Sequence, residues 1–276
     1  MDKYFFITPP PRDSYYTGSH HCIGTVVKIG NGFKHIIILY SSNRSLRWEH
    51  LPGLKNEDNY DRELIRVASI SHADYLTTVR ERQAVKHFDP QHKISHEEIK
   101  EMLEIASTAP SAWNLQHWTY LAITDKATKD KLLPIAYGQK QIVEASAIIA
   151  VLGNLQAHQH AEAIYEQAVQ AGFMTEEVKT NLVRQIMNSY TNAPELAQEE
   201  AIRSASMAAM QLMLAAKARG LDSCPMGGYN SSLFMEAFGV PRHLIPVMLV
   251  AIGKKSVPAH PSTRLPLEET VFWNHF

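Results

Sequence analysis

Four short segments concentrate residue types that can hold an anion or lie against a flat ligand. The first is Arg80-Glu81-Arg82-Gln83-Ala84-Val85-Lys86-His87-Phe88. On a helix read from Ala73 to Val85, Arg82 and Lys86 share one face near the helix end. Two cations there suit a phosphate or the edge of a ring; the same pair also reads as a solvated basic face. The second, Ala106 to Trp118, leaves a helix, turns through Pro110-Ser111-Ala112 and carries Asn114 and Gln116 beside small residues. It suits close approach to a planar ligand, or serves as a plain connecting loop with Trp118 filling the core. The third runs from Gly220 to Asn230. Its Gly227-Gly228 pair lets the backbone approach a ligand with no Cβ in the way, and Pro225 and Met226 offer an apolar surface. Alternatively it is a tight turn before a short helix. The fourth, Thr263-Arg264-Leu265-Pro266, places one arginine in a proline-rich tail.

Other chemistries find no support. The glycines form neither a dinucleotide fingerprint nor a P-loop. Ser111 lacks the nucleophile elbow of a hydrolase. His20, His21, His158 and His160 lack a nearby cysteine or carboxylate cluster and read as solvated pairs, so no metal is expected. Cys22 and Cys224 are the only cysteines, too few for a zinc set or disulfide framework, and read as reduced thiols. No acid/base dyad stands out.

The elements that would position these segments become regular after His72. Ser95-His96-Glu97-Glu98 is a capping box. It opens a helix with Ile99, Met102, Leu103 and Ala106 on one face, which Pro110 ends. A strand over Thr119 to Thr124 follows, then a short helix near Asp125 to Leu133 and an apolar strand from Ala147 to Leu152 closed by Gly153. Helices follow around His158 to Ala171 and Thr175 to Tyr190, then a long one from Glu195 to Arg219 behind Pro194. Its Ala- and Met-rich centre, Ala205 to Ala218, is apolar on more than one face, which implies burial and suggests a subunit interface. Gly220 ends it. A loop, a short helix from Ser231 to Phe238 and a strand from Pro246 to Ile252 complete the core. Helices and strands mix without a βαβ rhythm, which makes the class α+β.

Residues 1–72 differ. The run His35 to Tyr40 reads as a strand standing alone, Pro9-Pro10-Pro11 is incompatible with helix, and Asn43 to Asp61 is polar without period. The segment is read as a poorly ordered N-terminal extension or as residues ahead of a mis-assigned start. Between Met1 and Met102 there is no methionine, so a non-AUG start near Val67 or Ile70 is one alternative and a genuine extension the other. Residues 73–276 form the expected domain. The chain has 276 residues, 45% hydrophobic, and a formal net charge of -1; that supports a sizeable core and gives no general attraction to nucleic acid. No run approaches the roughly 18 apolar residues of a membrane span and no secretory signal is evident, so a cytoplasmic protein is expected.

Taken together and in order, the four segments resemble the nitroreductase family of FMN-dependent oxidoreductases. Arg82 to Phe88 resembles its opening R-x-S-x-R/K-x-F motif, Pro110 to Trp118 its P-S-x-x-N-x-Q-P-W loop, and Gly220 to Gly228 its G-L-x-x-x-x-x-G-G segment. Pro246 to Gly253 resembles the following strand, and Arg264 the tail arginine. The resemblance runs from about Tyr75 to the C-terminus. It implies a nitroreductase-like FMN-binding fold, a mixed sheet flanked by helices, and an intertwined homodimer with sites at the interface. It implies FMN as bound cofactor and NADH or NADPH as co-substrate. Arg82 and Arg264 would grip the phosphate, with Gln83 and Ala84 beside them. Lys86 would stand at the ring's N1/O2 edge, where reduction builds charge. Gly227 and Gly228 would turn a backbone N–H toward N5, and Pro225 and Met226 would lie on one ring face. Pro110, Ser111, Ala112 and Asn114 would come from the other subunit, and Gln139 and Gln141 are candidates for the ring edge. The implied reaction is ping-pong hydride transfer to quinones or nitroaromatics; flavin reduction, enone reduction, or a non-catalytic FMN sensor are the alternatives. Two departures stand out: Ala84 where the motif has serine, and His117 where it has proline.

Overall fold

The structure, a computed structural model, describes residues 22–29, 32–39 and 75–276. The chain divides into two compact units, Met1–Val67 and Ala68–Phe276. In the first, β1 (Cys22–Ile29) pairs antiparallel with β2 (Gly32–Leu39). The strand-like run beginning at His35 therefore does not stand alone: it pairs with Cys22–Ile29, a mixed stretch whose glycine and threonine conceal its strand character. The other expectations for residues 1–72 lie outside the described residues.

The second unit is built on a four-stranded sheet in the order β3-β4-β6-β5, with β3 at Trp118–Ile123, β4 at Ala147–Asn154, β5 at Asp222–Met226 and β6 at Leu244–Gly253. Neighbouring strands pair antiparallel. The parallel component of the expected mixed sheet is the single-residue bridge Ala84–Ser223. Every residue of β4 is buried, which explains its unbroken apolar reading: both faces are covered. Pro246 is tolerated inside β6 because the register shifts there, between Val151 and Leu152 of β4.

Alternate residues of β4 feed two cores. Ala147, Ile149 and Val151 join Val250, Ile252 and the small residues of α7 (Pro194–Ala218), with Met102 of α2 (His96–Ala106). Ile148, Ala150 and Leu152 join Leu249, Leu132 of α3 (Lys126–Ile135), Ile142 of α4 (Gln141–Glu144) and Phe234 of α8 (Ser231–Phe238). Alanines let α7 approach closely: a Cβ added at Gly153 would stand 3.0 Å from the Ala201 Cβ. Gly153 is thus the penultimate residue of β4 and lies under a helix.

A third cluster forms under a helical hairpin, α5 (Ala161–Gln170) and α6 (Glu176–Asn192), around Leu115, Ala157, Ile186 and Tyr190. Lys179 of α6 ties the hairpin through Glu162, Glu166 and Glu176 at 3.1, 2.6 and 2.7 Å. The capping box is present in full at Ser95 and Glu98.

Three expectations are corrected. The first helix of the core, α1, spans Tyr75–Glu81 and stops before Arg82. Arg82 and Lys86 therefore do not share a helical face; they lie on a non-helical segment whose Val85 N–H donates to the Ser223 carbonyl over 3.0 Å. The stretch read as loop after Gly220 contains β5, an edge strand, where a proline need cost no ladder bond. Finally, α2 ends at Ala106, ahead of Pro110.

Candidate functional site

One group of residues gathers where the segment after α1 runs beside β5. Ala84 bridges Ser223, Phe88 bridges Lys255, and the Asp89 N–H donates to the Lys254 carbonyl at 2.8 Å. Val85 and Phe88 are buried and anchor the segment, while Arg82 is half-buried and Gln83, Ala84 and Lys86 face outward. Glu144 fastens its far end, accepting from the Phe88 N–H at 3.2 Å and lying 3.5 Å from His87 Nδ1. Among the described residues, neither Arg82 nor Lys86 has an ion-pair partner or a side-chain hydrogen bond, although Glu144, Asp222 and Glu81 all do.

At the end of β5 the chain turns through Gly227 and Gly228 into α8. Asn230 secures the turn: its N–H donates to the Ile135 carbonyl at 2.9 Å and its side chain caps α8 by accepting from the Leu233 N–H. The N–H groups of Gly227 and Gly228 find no acceptor among the described residues. A Cβ added at Gly227 would meet open space. Gln139 reaches the same turn, its Nε2 donating to the Gly228 carbonyl at 2.6 Å, and Gln141 Nε2 donates to Gln139 Oε1 at 3.1 Å. Gln139 is presented by a left-handed turn at Tyr137 and Gly138, φ 55° and 72°. Neither residue of that turn stood out in the sequence.

Strand alternation separates Pro225 from Met226. Pro225 is exposed, but Met226 is buried among Phe234 and Leu249, so its side chain faces the core and only its backbone borders the turn. Cys224 is buried too. Burial pushes its thiol pKa up, and Lys86 opposes this as a nearby positive charge, which places Lys86 close to β5.

The Pro110–Trp118 loop lies apart. Among the described residues no hydrogen bond or ion pair joins it to Arg82–Phe88 or to Gly227–Gly228. Its backbone is left-handed at three non-glycine residues, Trp113, Asn114 and Gln116, φ 48°, 54° and 53°. Such conformations persist where surroundings over-determine them. Here Ser111 Oγ accepts from the Gln116 N–H at 3.0 Å, the Tyr165 hydroxyl donates to the Trp113 carbonyl at 3.0 Å, and Leu115 is fully buried. Pro110 and the Asn114 side chain face solvent, and Ser111 and Ala112 are partly accessible. Arg264 also stands apart, bonded only to its neighbours Ser262 and Thr263 in an exposed tail.

Two histidines are packed around Tyr190. His117 is fully buried and its Nε2 lies 2.6 Å from the Tyr190 hydroxyl. Desolvation, then the charges of His158 and His160, hold its pKa down to about 4. His158 is not a solvated residue: it stacks on Tyr190 with ring centroids 4.7 Å apart.

The donor set therefore suits a planar ligand with an anionic tail: two cations and backbone N–H groups without partners among the described residues, and an open glycine surface, along one sheet edge. The model of the family described as "Nitroreductase family" matches residues 79–254. A protein of Bacillus subtilis named as an NAD(P)H nitroreductase, YodC, is 45% identical over 198 residues, 72% of this chain and 98% of its own length. A protein of Lactiplantibacillus plantarum named as a CLA biosynthesis enone reductase is 30% identical, over 72% of this chain and 93% of its own. A crystal structure from Exiguobacterium sibiricum, titled as a nitroreductase in complex with FMN, superimposes with a TM-score of 0.70 at 38% identity, covering 73% of this chain and 97% of that one.

Proposed function

The chain belongs to the nitroreductase family, and on that premise we propose that it is an FMN-dependent oxidoreductase carrying electrons from NADH or NADPH to a small oxidant, a quinone or nitroaromatic. The observation that carries this reading is that two cations, Arg82 and Lys86, and the N–H groups of Gly227 and Gly228, all without partners among the described residues, come together along one sheet edge. When bound, FMN supplies two-electron chemistry, which needs positioning and a tuned ring rather than a side-chain nucleophile; the want of an acid/base dyad in the sequence fits that requirement.

In this reading Arg82 holds the phosphate, because a guanidinium fork binds phosphate oxygens bidentately. Gln83 and Ala84 border it. Lys86 stands at the ring edge and favours negative charge there. Gly227 and Gly228 supply N–H donors without a side chain in the way, and Pro225 gives an apolar surface. Gln139, steadied by Gln141, orients the turn. Donor and acceptor occupy the open side in turn, the ping-pong order.

One chain does not bring Pro110, Ser111, Ala112, Asn114 and Arg264 to this edge, so the reading includes a second copy that supplies them. Exposed apolar residues suit that partner. Ile105, Ile202, Met207 and Met210 are about two-fifths exposed on α2 and α7, and Leu265, Leu267 and Trp273 stand out along the tail. A patch of that kind on a lone chain is a liability. Cytoplasmic residence, in keeping with a free Cys224 thiol, belongs to the same proposal. Among the described residues no helix is long and apolar enough to cross a membrane.

A steady-state assay of the purified protein with FMN, either nicotinamide, and menadione or a nitroaromatic tests the reading. Nicotinamide oxidation that depends on both FMN and acceptor is expected; bound FMN without turnover of any acceptor would make the protein a sensor. The enone reductase relative favours one further acceptor class, conjugated enones, which the same assay includes.

A further inference from the structure

The Pro110–Trp118 loop holds three residues, Trp113, Asn114 and Gln116, in a backbone region that costs free energy for a residue with a Cβ, with Leu115 right-handed between them. Its own sequence supplies the bonds from the Gln116 and Asn114 N–H groups to Ser111, from the Leu115 N–H to the Ala112 carbonyl, and from the Gln116 side chain to the Asn114 carbonyl. What completes its restraint comes from the α5–α6 hairpin. Tyr165 of α5 donates to the Trp113 carbonyl at 3.0 Å. Tyr190, near the end of α6, meets His117 Nε2 at 2.6 Å inside the protein, and its ring also contacts those of Trp113 and His158. The His117 carbonyl accepts from the Asn154 N–H at 2.6 Å, tying the same residue to the end of β4.

His117 is thus a corner joining three elements: the loop, the central strand and the hairpin. It occupies the place where the resembling motif carries proline, a residue that stiffens a loop through its own ring. Histidine has no such ring, and stiffness here comes from a side-chain bond in its place. Among the described residues its buried Nδ1 has no partner, a cost that the Tyr190 bond partly offsets.

We propose that His117 and Tyr190 form a latch that positions the loop: Tyr190, acting through His117, holds the left-handed turn Trp113–Gln116 and thereby aims Ser111, Ala112 and Asn114 at the cofactor of the partner subunit. Neither residue touches the ligand; both are positioning residues. The inference rests on the reading above that this loop lines the FMN site.

The experiment compares the parent holoenzyme with Tyr190→Phe, which removes one hydroxyl and keeps the ring, and with Tyr165→Phe, which removes the second tether. Amide hydrogen exchange of residues 114–116 is followed alongside FMN dissociation and the visible circular dichroism of bound flavin. In both variants exchange at these amides rises while β4 and α7 keep parent protection. The FMN dissociation constant rises by roughly 2- to 12-fold, the span of one net hydrogen bond, and the flavin dichroism changes. Two variants keep the test open should one fail to fold. Unchanged exchange at 114–116 would overturn the latch. Raised exchange with parent FMN affinity and dichroism would overturn its positioning role. A parent protein that binds no FMN would instead defeat the functional reading, with the exchange data still deciding the latch.

Discussion

Ala84 lies in a parallel bridge with Ser223, and this one pairing carries Arg82 and Lys86 alongside the edge strand whose next turn holds Gly227. The cations and the free N–H groups come from segments far apart in the chain, yet share a sheet edge through a single backbone contact. An alanine at position 84 serves that contact as well as a serine would, since the bridge uses backbone only.

The two cations should separate by role. The phosphate keeps its charge through turnover, whereas the ring edge gains charge only on reduction. Arg82→Ala should weaken FMN binding by roughly 1.5–3 kcal/mol, the worth of a charge-assisted hydrogen bond. Lys86→Ala should lower the flavin's two-electron potential more than it weakens oxidised FMN, because only unequal binding of two states shifts their balance. FMN dissociation and a redox titration on both variants check this. A parent potential in Lys86→Ala would show the roles to be misassigned.

Gly227→Ala probes the open turn. Its added Cβ meets nothing in the chain, so thermal stability should stay within about 0.5 kcal/mol of the parent, as for a surface change. FMN affinity should nonetheless fall, because the methyl projects from the surface that the ring must approach. Equal loss of stability and affinity would point to a structural role for the glycine instead.

Acid should loosen the loop before the sheet. His117, with its pKa down near 4, takes up its proton more readily in the unfolded chain, where the group titrates near 6.5. Its contribution to stability is therefore complete above about 6.5, declines as pH falls toward 4, and changes no further below that, with a total on the order of 3 kcal/mol at most. His158, also lowered by burial, acts in the same direction; His160 and Tyr190 are the other titratable groups around the ring. Urea unfolding of the parent and His117→Gln between pH 7 and 4.5 measures the slope. The variant should show a shallower one, and identical slopes would remove His117 from the acid response.

Much of this architecture was legible before the structure. The capping box at Ser95, the apolar run of β4 and the proline start of α7 are local signals, and each element stands within a few residues of its expected place. What escaped was tertiary in origin. The first helix was read through to Val85, because Val85 continues the helical period; the Ser223 carbonyl instead captures its N–H. Pro225 hid β5, since proline speaks against strands except at an edge, and edge status is not written locally. Met226 was grouped with Pro225 for the same reason: without the strand, nothing says that adjacent residues face opposite ways. The His117–Tyr190 bond joins residues 73 positions apart, a pairing that no periodicity encodes.

The proposed division of the site between two copies makes assembly testable. The holoenzyme should run as a dimer in light scattering at all working concentrations, and Met207→Glu with Met210→Glu on α7 should yield a monomer that has lost FMN. A monomeric parent that keeps its flavin would show that one chain completes the site.

The central claim is that the edge formed by Arg82, Lys86, Gly227 and Gly228 binds FMN. Titrating flavin-free protein with FMN while following the quenching of flavin fluorescence tests it most directly, with Arg82→Ala titrated beside the parent. Saturation near one FMN per chain is expected for the parent, as one site per subunit requires, with markedly weaker binding in the variant. A parent that leaves FMN fluorescence unchanged, or a variant that binds as tightly as the parent, would contradict it.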